Sequence, residues 1–132
     1  MAKAIYEGLK DKGEVKISKP ETINESDFKG IDLLMVGSPV QAGRPLKTIK
    51  DLLDSLPKNS LQNIKTASFD TRIDMIIARL FRYAADKIDK ELTALGGQQI
   101  TPPMGFIVKD KEGPMREGEL DRAKNWAKEI TI

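Results

Sequence analysis

The stretch "IDLLMVGSPVQAGRP", residues 31–45, joins the most apolar segment of the chain to a loop of small and polar residues. Its first half is apolar at nearly every position, which is typical of a strand buried on both faces of a parallel sheet. Its second half holds two glycines and two prolines, which indicates a turn that leads from the strand into a helix. Such a loop leaves backbone groups free for a ligand.

The same alternation of strand and helix continues on both sides of this stretch. "EVKIS" (14–18) and "IKTASFD" (64–70) predict strands, and "QQITPPMGFIV" (98–108) predicts a strand that its prolines confine to a sheet edge or a bulge. Helical stripes occupy the intervals, and the last of them is expected to turn Leu120, Ala123, Ala127 and Ile130 inward. The pattern predicts one α/β domain over residues 1–132, with a parallel sheet and helices on both faces.

Two smaller features complete the pattern. "TINE" (22–25) has the form of a capping box and predicts one short helical turn. A stripe that begins at Ile73 and runs to Leu95 predicts a long helix directly after "IKTASFD".

Composition excludes several kinds of chemistry. The 132 residues include neither cysteine nor histidine, so thiolate catalysis, Ser-His-Asp triads and imidazole or thiolate metal sites are all excluded. A net charge of +2 without a long basic block, together with 5% aromatic residues, gives little support for nucleic-acid binding. The apolar runs are too short for a bilayer span and no signal peptide is visible, so we expect a cytoplasmic protein that binds no membrane.

Two strand ends carry the candidate site. The carboxyl ends of neighbouring parallel strands meet at one edge of a sheet, where ligands bind in folds of this class. The first loop is Ser38, Pro39, Val40, Gln41, Ala42, Gly43 and Arg44, and the second is Phe69, Asp70, Thr71 and Arg72. Small and polar residues are also common in ordinary turns, which explains these two segments about as well as a ligand site does. Arg44 and Arg72 could equally be surface residues paired with carboxylates.

Acidic residues near the end of the chain raise a separate question. Asp110, Glu112, Glu117 and Glu119 could suggest a metal site, but a solvated loop explains them better. We therefore predict no metal site and no catalytic residues of the chain's own.

Three segments together resemble the flavodoxin-like family of FMN-binding proteins. They are "DLLMVGSPVQAGRPLKTIKDLLDSLP", "ASFDTRI" and "AADKIDKELTALGGQQITPPMGFIVKDKEGPMREGELDRAKNWAKEI", and the similarity runs from residue 1 to about 130. The resemblance implies an FMN whose isoalloxazine ring rests between the two loops described above. It also implies electron transfer as the function, with redox proteins as partners and the flavin as the redox group.

The chain departs from that family at its beginning. The family starts with a hydrophobic central strand and a Ser/Thr-rich, glycine-containing phosphate loop, whereas "MAKAIYEGLK" matches the inside of the helix that follows them. No other segment reads as a phosphate cradle. Relative to the family the chain is thus expected to be truncated, with a four-stranded sheet, without the phosphate half of the site, and with weak or absent FMN binding.

A missing central strand requires compensation, because its neighbours lose their backbone partners. "EVKIS" could pair directly with "IDLLMV", two chains could exchange elements as a homodimer, or the sequence could be a shortened form of a longer protein. Two other functions also stay open: a cofactor-free interaction or scaffold module, and an FMN-dependent reductase with its own substrate.

Overall fold

The computed structural model describes residues 1–40, 44–73, 84–109 and 114–131. Four α-helices are present in these ranges: α1 (Ala2–Leu9), α2 (Lys47–Ser55), α3 (Ala84–Ala94) and α4 (Glu119–Glu129). Three 3-10 turns cover Lys10–Lys12, Pro20–Thr22 and Glu25–Phe28. The strands are β1 (Leu33–Pro39), β2 (Lys65–Ile73), β3 (Gln98–Gln99) and β4 (Met104–Val108).

These strands form one parallel four-stranded sheet. β1 pairs with β2 from Leu33 opposite Lys65 to Pro39 opposite Thr71. The other side of β2 pairs first with β3 and then with β4. The segment 98–108 therefore contributes two short strands rather than one, because prolines 102 and 103 lack the amide hydrogens that a continuous ladder needs.

The fold confirms the α/β class, the parallel sheet and its four strands, but the strand predicted at residues 14–18 is wrong. That segment has no strand or helix assignment, and none of the described strands pairs with it. Alternation of apolar and polar residues makes a strand possible, whereas forming one needs a neighbour with free backbone groups beside it.

Three further expectations also differ from the structure. The capping box of the turn at Glu25–Phe28 is made by Asn24 with Asp27, so the predicted Thr22–Glu25 box is wrong. β2 extends through Ile73, which therefore belongs to a strand. The end of the predicted stripe is helical as expected, in α3, and residues 74–83 of it lie outside the described residues. Leu120 is 48% exposed, although Ala123, Ala127 and Ile130 of the same stripe are buried as expected.

The sheet separates two hydrophobic clusters. On one side Leu34 and Val36 of β1 pack with side chains of α2 and α3, including Ile49, Leu53 and Ile88. On the other side Leu33 and Met35 of β1 border a cluster built from α1, α4, Ala67 and Phe106. β1 thus presents apolar side chains to both faces, as the near-continuous apolar run predicted.

Helices α1 and α4 approach each other closely at Gly8. A Cβ atom on Gly8 would lie 2.4 Å from the carbonyl oxygen of Lys124 and 2.7 Å from Cβ of Ala127. Only a residue without a side chain lets the two backbones come this near. The first and last described helices are consequently held in direct contact.

The outer edge of β4 is closed by a charged cluster from the start of α4. Glu119 is buried, and its carboxylate accepts the amide of Ile107 at 2.6 Å and the Arg122 guanidinium at 2.8–2.9 Å. The Arg122 guanidinium also donates to the Gly105 carbonyl, and the Arg116 amide donates to the Ile107 carbonyl. The hydrogen bonds from Arg122 are the main cause of the lowered pKa of Glu119, and the Ile107 amide adds to it.

None of the helices in the four described ranges combines the length and the apolar character that a membrane crossing requires.

Candidate functional site

The sheet places residues of the two predicted loops side by side at the carboxyl ends of β1 and β2, although Ser38, Pro39 and Phe69 to Arg72 lie in the strands themselves and not in loops. Ser38 lies opposite Asp70 and Pro39 lies opposite Thr71 in the parallel register. The Val40 amide then donates to the Thr71 carbonyl at 2.9 Å, which extends the contact one residue beyond β1. The strand ends that the sequence singled out therefore form one continuous edge of the molecule.

Ser38 uses its hydroxyl inside this edge. The hydroxyl donates to the Pro39 carbonyl at 2.8 Å and accepts the Leu46 amide at 2.8 Å, and the residue is only 3% exposed. These bonds tie the start of the loop after β1 to the residue before α2. The Ser38 hydroxyl is consequently occupied by protein partners.

Asp70 is the most deeply buried charged group of the candidate site, with no exposed surface. Its carboxylate accepts two hydrogen bonds from Arg72, at 2.6 and 2.8 Å, and a third from the Ala85 amide of α3 at 2.8 Å. The guanidinium lies over Gly105 of β4, where a Cβ would be 2.1 Å from its central carbon. Asp70 thus links β2 to α3 and anchors Arg72 across the sheet.

Phe69 belongs to an aromatic cluster on the α1/α4 side of the sheet. Its ring meets Phe106 and Trp126 edge-on, with centroids 6.4 and 6.1 Å apart. The same ring fills the space above Gly37, where a Cβ would lie 2.1 Å from it. Phe69 therefore supports β1 and β2 by packing and reaches the candidate edge only at its partly exposed surface.

Six described residues of the candidate set leave surface at this edge: Pro39 and Arg44 are exposed, and Val40, Phe69, Thr71 and Arg72 are partly exposed. The edge therefore combines an apolar contact, a hydroxyl and a cation. The expectations for Gln41, Ala42 and Gly43 fall outside the described residues.

The residue types at the strand ends predicted where the candidate edge lies. They did not predict which backbone amides bond to Ser38 and Asp70 there. The amides of Leu46 and Ala85, which hold Ser38 and Asp70, carry no sequence signal because every residue except proline has an amide. Glu119 was grouped with the acidic loop, yet it is buried against β4. Among the described side chains, no three acidic groups come together in a way that could hold a metal ion.

A separate open cavity of about 390 Å³ lies at the opposite end of the sheet. Residues 25, 28–31, 60 and 62–64 line it, next to the amino ends of β1 and β2. It is therefore distinct from the edge that the carboxyl ends form.

Comparison with known proteins places these features in a wider context. The family model for flavodoxin matches residues 1–127. None of the curated protein sequences compared with the chain matches it.

Solved structures of similar fold include three flavodoxins. An archaeal flavodoxin superimposes with a TM-score of 0.78 at 18% identity, over 98% of this chain and 84% of that one. Oxidised flavodoxin 1 from Bacillus cereus gives 0.75 at 13% identity, over 98% and 88%. Two-electron reduced flavodoxin from Megasphaera elsdenii gives 0.65 at 18% identity, again over 98% and 88%. Likeness at these identities establishes the fold of the chain.

Proposed function

The chain belongs to the flavodoxin family, and from that premise we propose that it is an electron-transfer protein that uses FMN. The observation that carries the proposal is the family match over residues 1–127 together with the pairing of the carboxyl ends of β1 and β2. When bound, the flavin would supply the redox chemistry, since neither cysteine nor histidine is present. Electron exchange with other redox proteins is part of this proposal.

The residues that would hold the flavin ring are those left accessible at the candidate edge. Val40 offers an apolar contact, Thr71 a hydroxyl and Arg44 donors for ring oxygens or a nearby anion. Ser38 and Asp70 would act indirectly, because their polar atoms already bond to the residue before α2 and to the start of α3. This donor set fits a polar aromatic ring bordered by two loops.

The sequence contains no comparable set of residues for binding the phosphate group of FMN. No segment of the chain has the glycine-rich pattern of a phosphate loop between a strand and a helix. We therefore include in the proposal that the ring side of the site supplies the affinity, and that FMN binds no more tightly than riboflavin, which lacks the phosphate.

A fluorescence titration tests both parts. Purified protein would be added to FMN and, in parallel, to riboflavin, while quenching of flavin fluorescence is followed. Saturable binding of both flavins with equal affinity is expected. FMN binding tighter by a factor of a hundred or more, about 2.7 kcal/mol, would show that an anion site exists after all.

One specific observation favours a second candidate, the cofactor-free interaction module. The Ser38 hydroxyl and the Asp70 carboxylate, which a ligand could have used, are both engaged by protein groups. Absence of binding for both flavins, in a sample whose circular dichroism shows a folded α/β protein, would support this module and contradict the electron carrier.

A further inference from the structure

The surface residues of the candidate edge carry charge of one sign. Six described residues leave surface there, and two of these, Arg44 and Arg72, are arginines. None of the six is acidic. Asp70, the carboxylate that lies between them in the sequence, has no exposed surface. A ligand at this edge would therefore face guanidinium groups from these six residues, and no carboxylate.

The two arginines differ in how far their charge is compensated. Arg72 donates two hydrogen bonds to the Asp70 carboxylate, and its side chain is only 18% exposed. The charges of that pair largely cancel within the protein. Arg44 is exposed, and none of the carboxylates in the described ranges forms an ion pair with it. The uncompensated positive charge of these edge residues is therefore that of Arg44.

The start of α2 adds partial charge of the same sign. The Leu46 amide donates to the Ser38 hydroxyl, so the helix that begins at Lys47 has its amino end at this edge. Its first turn holds no acidic residue, and no side chain caps it. The amino end of a helix carries roughly half a positive charge. The helix therefore supports the charge of Arg44 and does not oppose it.

An edge of this charge distinguishes the two oxidation states of a flavin. The oxidised ring is neutral, whereas a ring that gains two electrons and one proton, with N1 left unprotonated, carries one negative charge. A fixed cation nearby stabilises the negative form and leaves the neutral form almost unaffected. On the basis of the function proposed above, in which redox proteins supply the electrons, we propose that Arg44 makes the site bind reduced flavin more tightly than oxidised flavin. The bound flavin is then easier to reduce than the free one.

A redox titration of the whole chain with riboflavin tests the proposal. Riboflavin is the probe because it brings no phosphate charge of its own. Dithionite reduces free and bound riboflavin in mildly alkaline buffer, with a reference dye to report the midpoint potential. We expect the reduced form to bind at least about tenfold more tightly than the oxidised form, which raises the two-electron potential by about 30 mV.

Charge variants separate Arg44 from the rest of the protein. Arg44→Lys keeps the charge and should keep the preference for reduced riboflavin, whereas Arg44→Gln should remove most of it and Arg44→Glu should reverse it. Lys58→Gln is the matched control, because it removes the same charge from an exposed residue between α2 and β2, at the opposite end of the sheet. It should leave the ratio of the two affinities unchanged. Added salt should weaken the preference, since Arg44 is exposed to solvent.

Two kinds of failure are distinguishable in this experiment. If a folded protein binds riboflavin in neither oxidation state, the proposed electron carrier is overturned and this inference with it. If oxidised riboflavin binds with saturation but the reduced form binds no more tightly, only the inference is overturned. The same holds if Arg44→Gln leaves the ratio of the two affinities unchanged. Far-UV circular dichroism and the fluorescence of Trp126, recorded before flavin is added, confirm that each variant is folded.

Discussion

Arg72 holds Asp70 in a two-point ion pair, with Nε 2.6 Å from one carboxylate oxygen and Nη2 2.8 Å from the other. The carboxylate has no exposed surface, and its guanidinium partner is 18% exposed. A pair largely removed from water in this way is costly to break, because the charge that is left behind is poorly solvated and loses a two-point hydrogen-bond partner.

Asp70→Ala is therefore expected to lower the free energy of unfolding by about 3–5 kcal/mol. The loss also leaves the Ala85 amide without its acceptor. Urea denaturation followed by circular dichroism measures the change. Asp54→Ala is the matched control, since its pair with Lys50 is about half exposed, and it should cost less than about 1 kcal/mol. Equal effects at the two positions would contradict the buried pairing.

Ser38→Ala should destabilise the loop after β1. Its hydroxyl is the acceptor for the Leu46 amide, so the substitution leaves this poorly solvated amide without an acceptor. The free energy of unfolding should fall by about 1–3 kcal/mol. If the loop forms one side of the flavin site, riboflavin affinity should fall together with stability. Urea denaturation and flavin titration measure the two effects. Ser55→Ala removes an exposed hydroxyl bonded to Leu52 and should change neither.

Glu119→Gln should reduce the stability of the protein at neutral pH, and it should make that stability fall less steeply in acid. The pKa of Glu119 is lowered in the folded state, chiefly by Arg122, so its contribution is present above the unfolded value of about 4.5. That contribution disappears as the pH falls through the lower folded value. The variant should be less stable by about 1–2 kcal/mol at pH 7, and the difference from the wild type should shrink as the pH falls below about 4.5.

Thermal unfolding at several pH values measures this convergence. Glu7→Gln provides the control, because the pKa of Glu7 is also lowered by an ion pair, with Lys10, but that pair is exposed to solvent. It should leave the pH profile unchanged. A Glu119→Gln profile parallel to that of the wild type at every pH would rule out the linkage.

Gly37→Ala should disturb the aromatic cluster through a steric conflict with Phe69. The added methyl group would meet the ring at 2.1 Å, so the ring must move, at a cost of about 1–3 kcal/mol. Because Phe69 contacts Trp126, the emission of this single tryptophan should also change. In the Phe69→Ala background the same substitution should cost much less, and strict additivity in this double-mutant cycle would exclude the conflict.

The sequence predicted the fold where hydrophobic pattern and tertiary context agree, as in β1 and β2. It misled at residues 14–18, since a strand pattern does not supply the neighbour that a strand needs. It also misled at Leu120, which is exposed while the adjacent Glu119 is buried. Hydrophobic periodicity predicts that a carboxylate lies at the surface. It does not reveal that the Glu119 carboxylate accepts hydrogen bonds from Ile107 and Arg122.

The candidate site, like the fold, could be predicted from the sequence only in part. Small and polar residues at strand ends located the edge that β1 and β2 share, because topology alone brings those ends together. Which of their polar atoms stay available depends on distant amides and on the path of α3. No local pattern encodes these, so only the structure separates Arg44 and Thr71 from Ser38 and Asp70.

The close contact at Gly8 has a consequence for how the chain acquires its structure during synthesis. α1 is synthesised long before α4, the helix against which it packs. Until then the apolar side chains of Ile5 and Leu9 have no α4 to cover them. Docking of α1 must wait for a contact that spans nearly the whole chain, which makes it a late and slow event. In the interval the uncovered apolar side chains of α1 favour aggregation of the nascent chain.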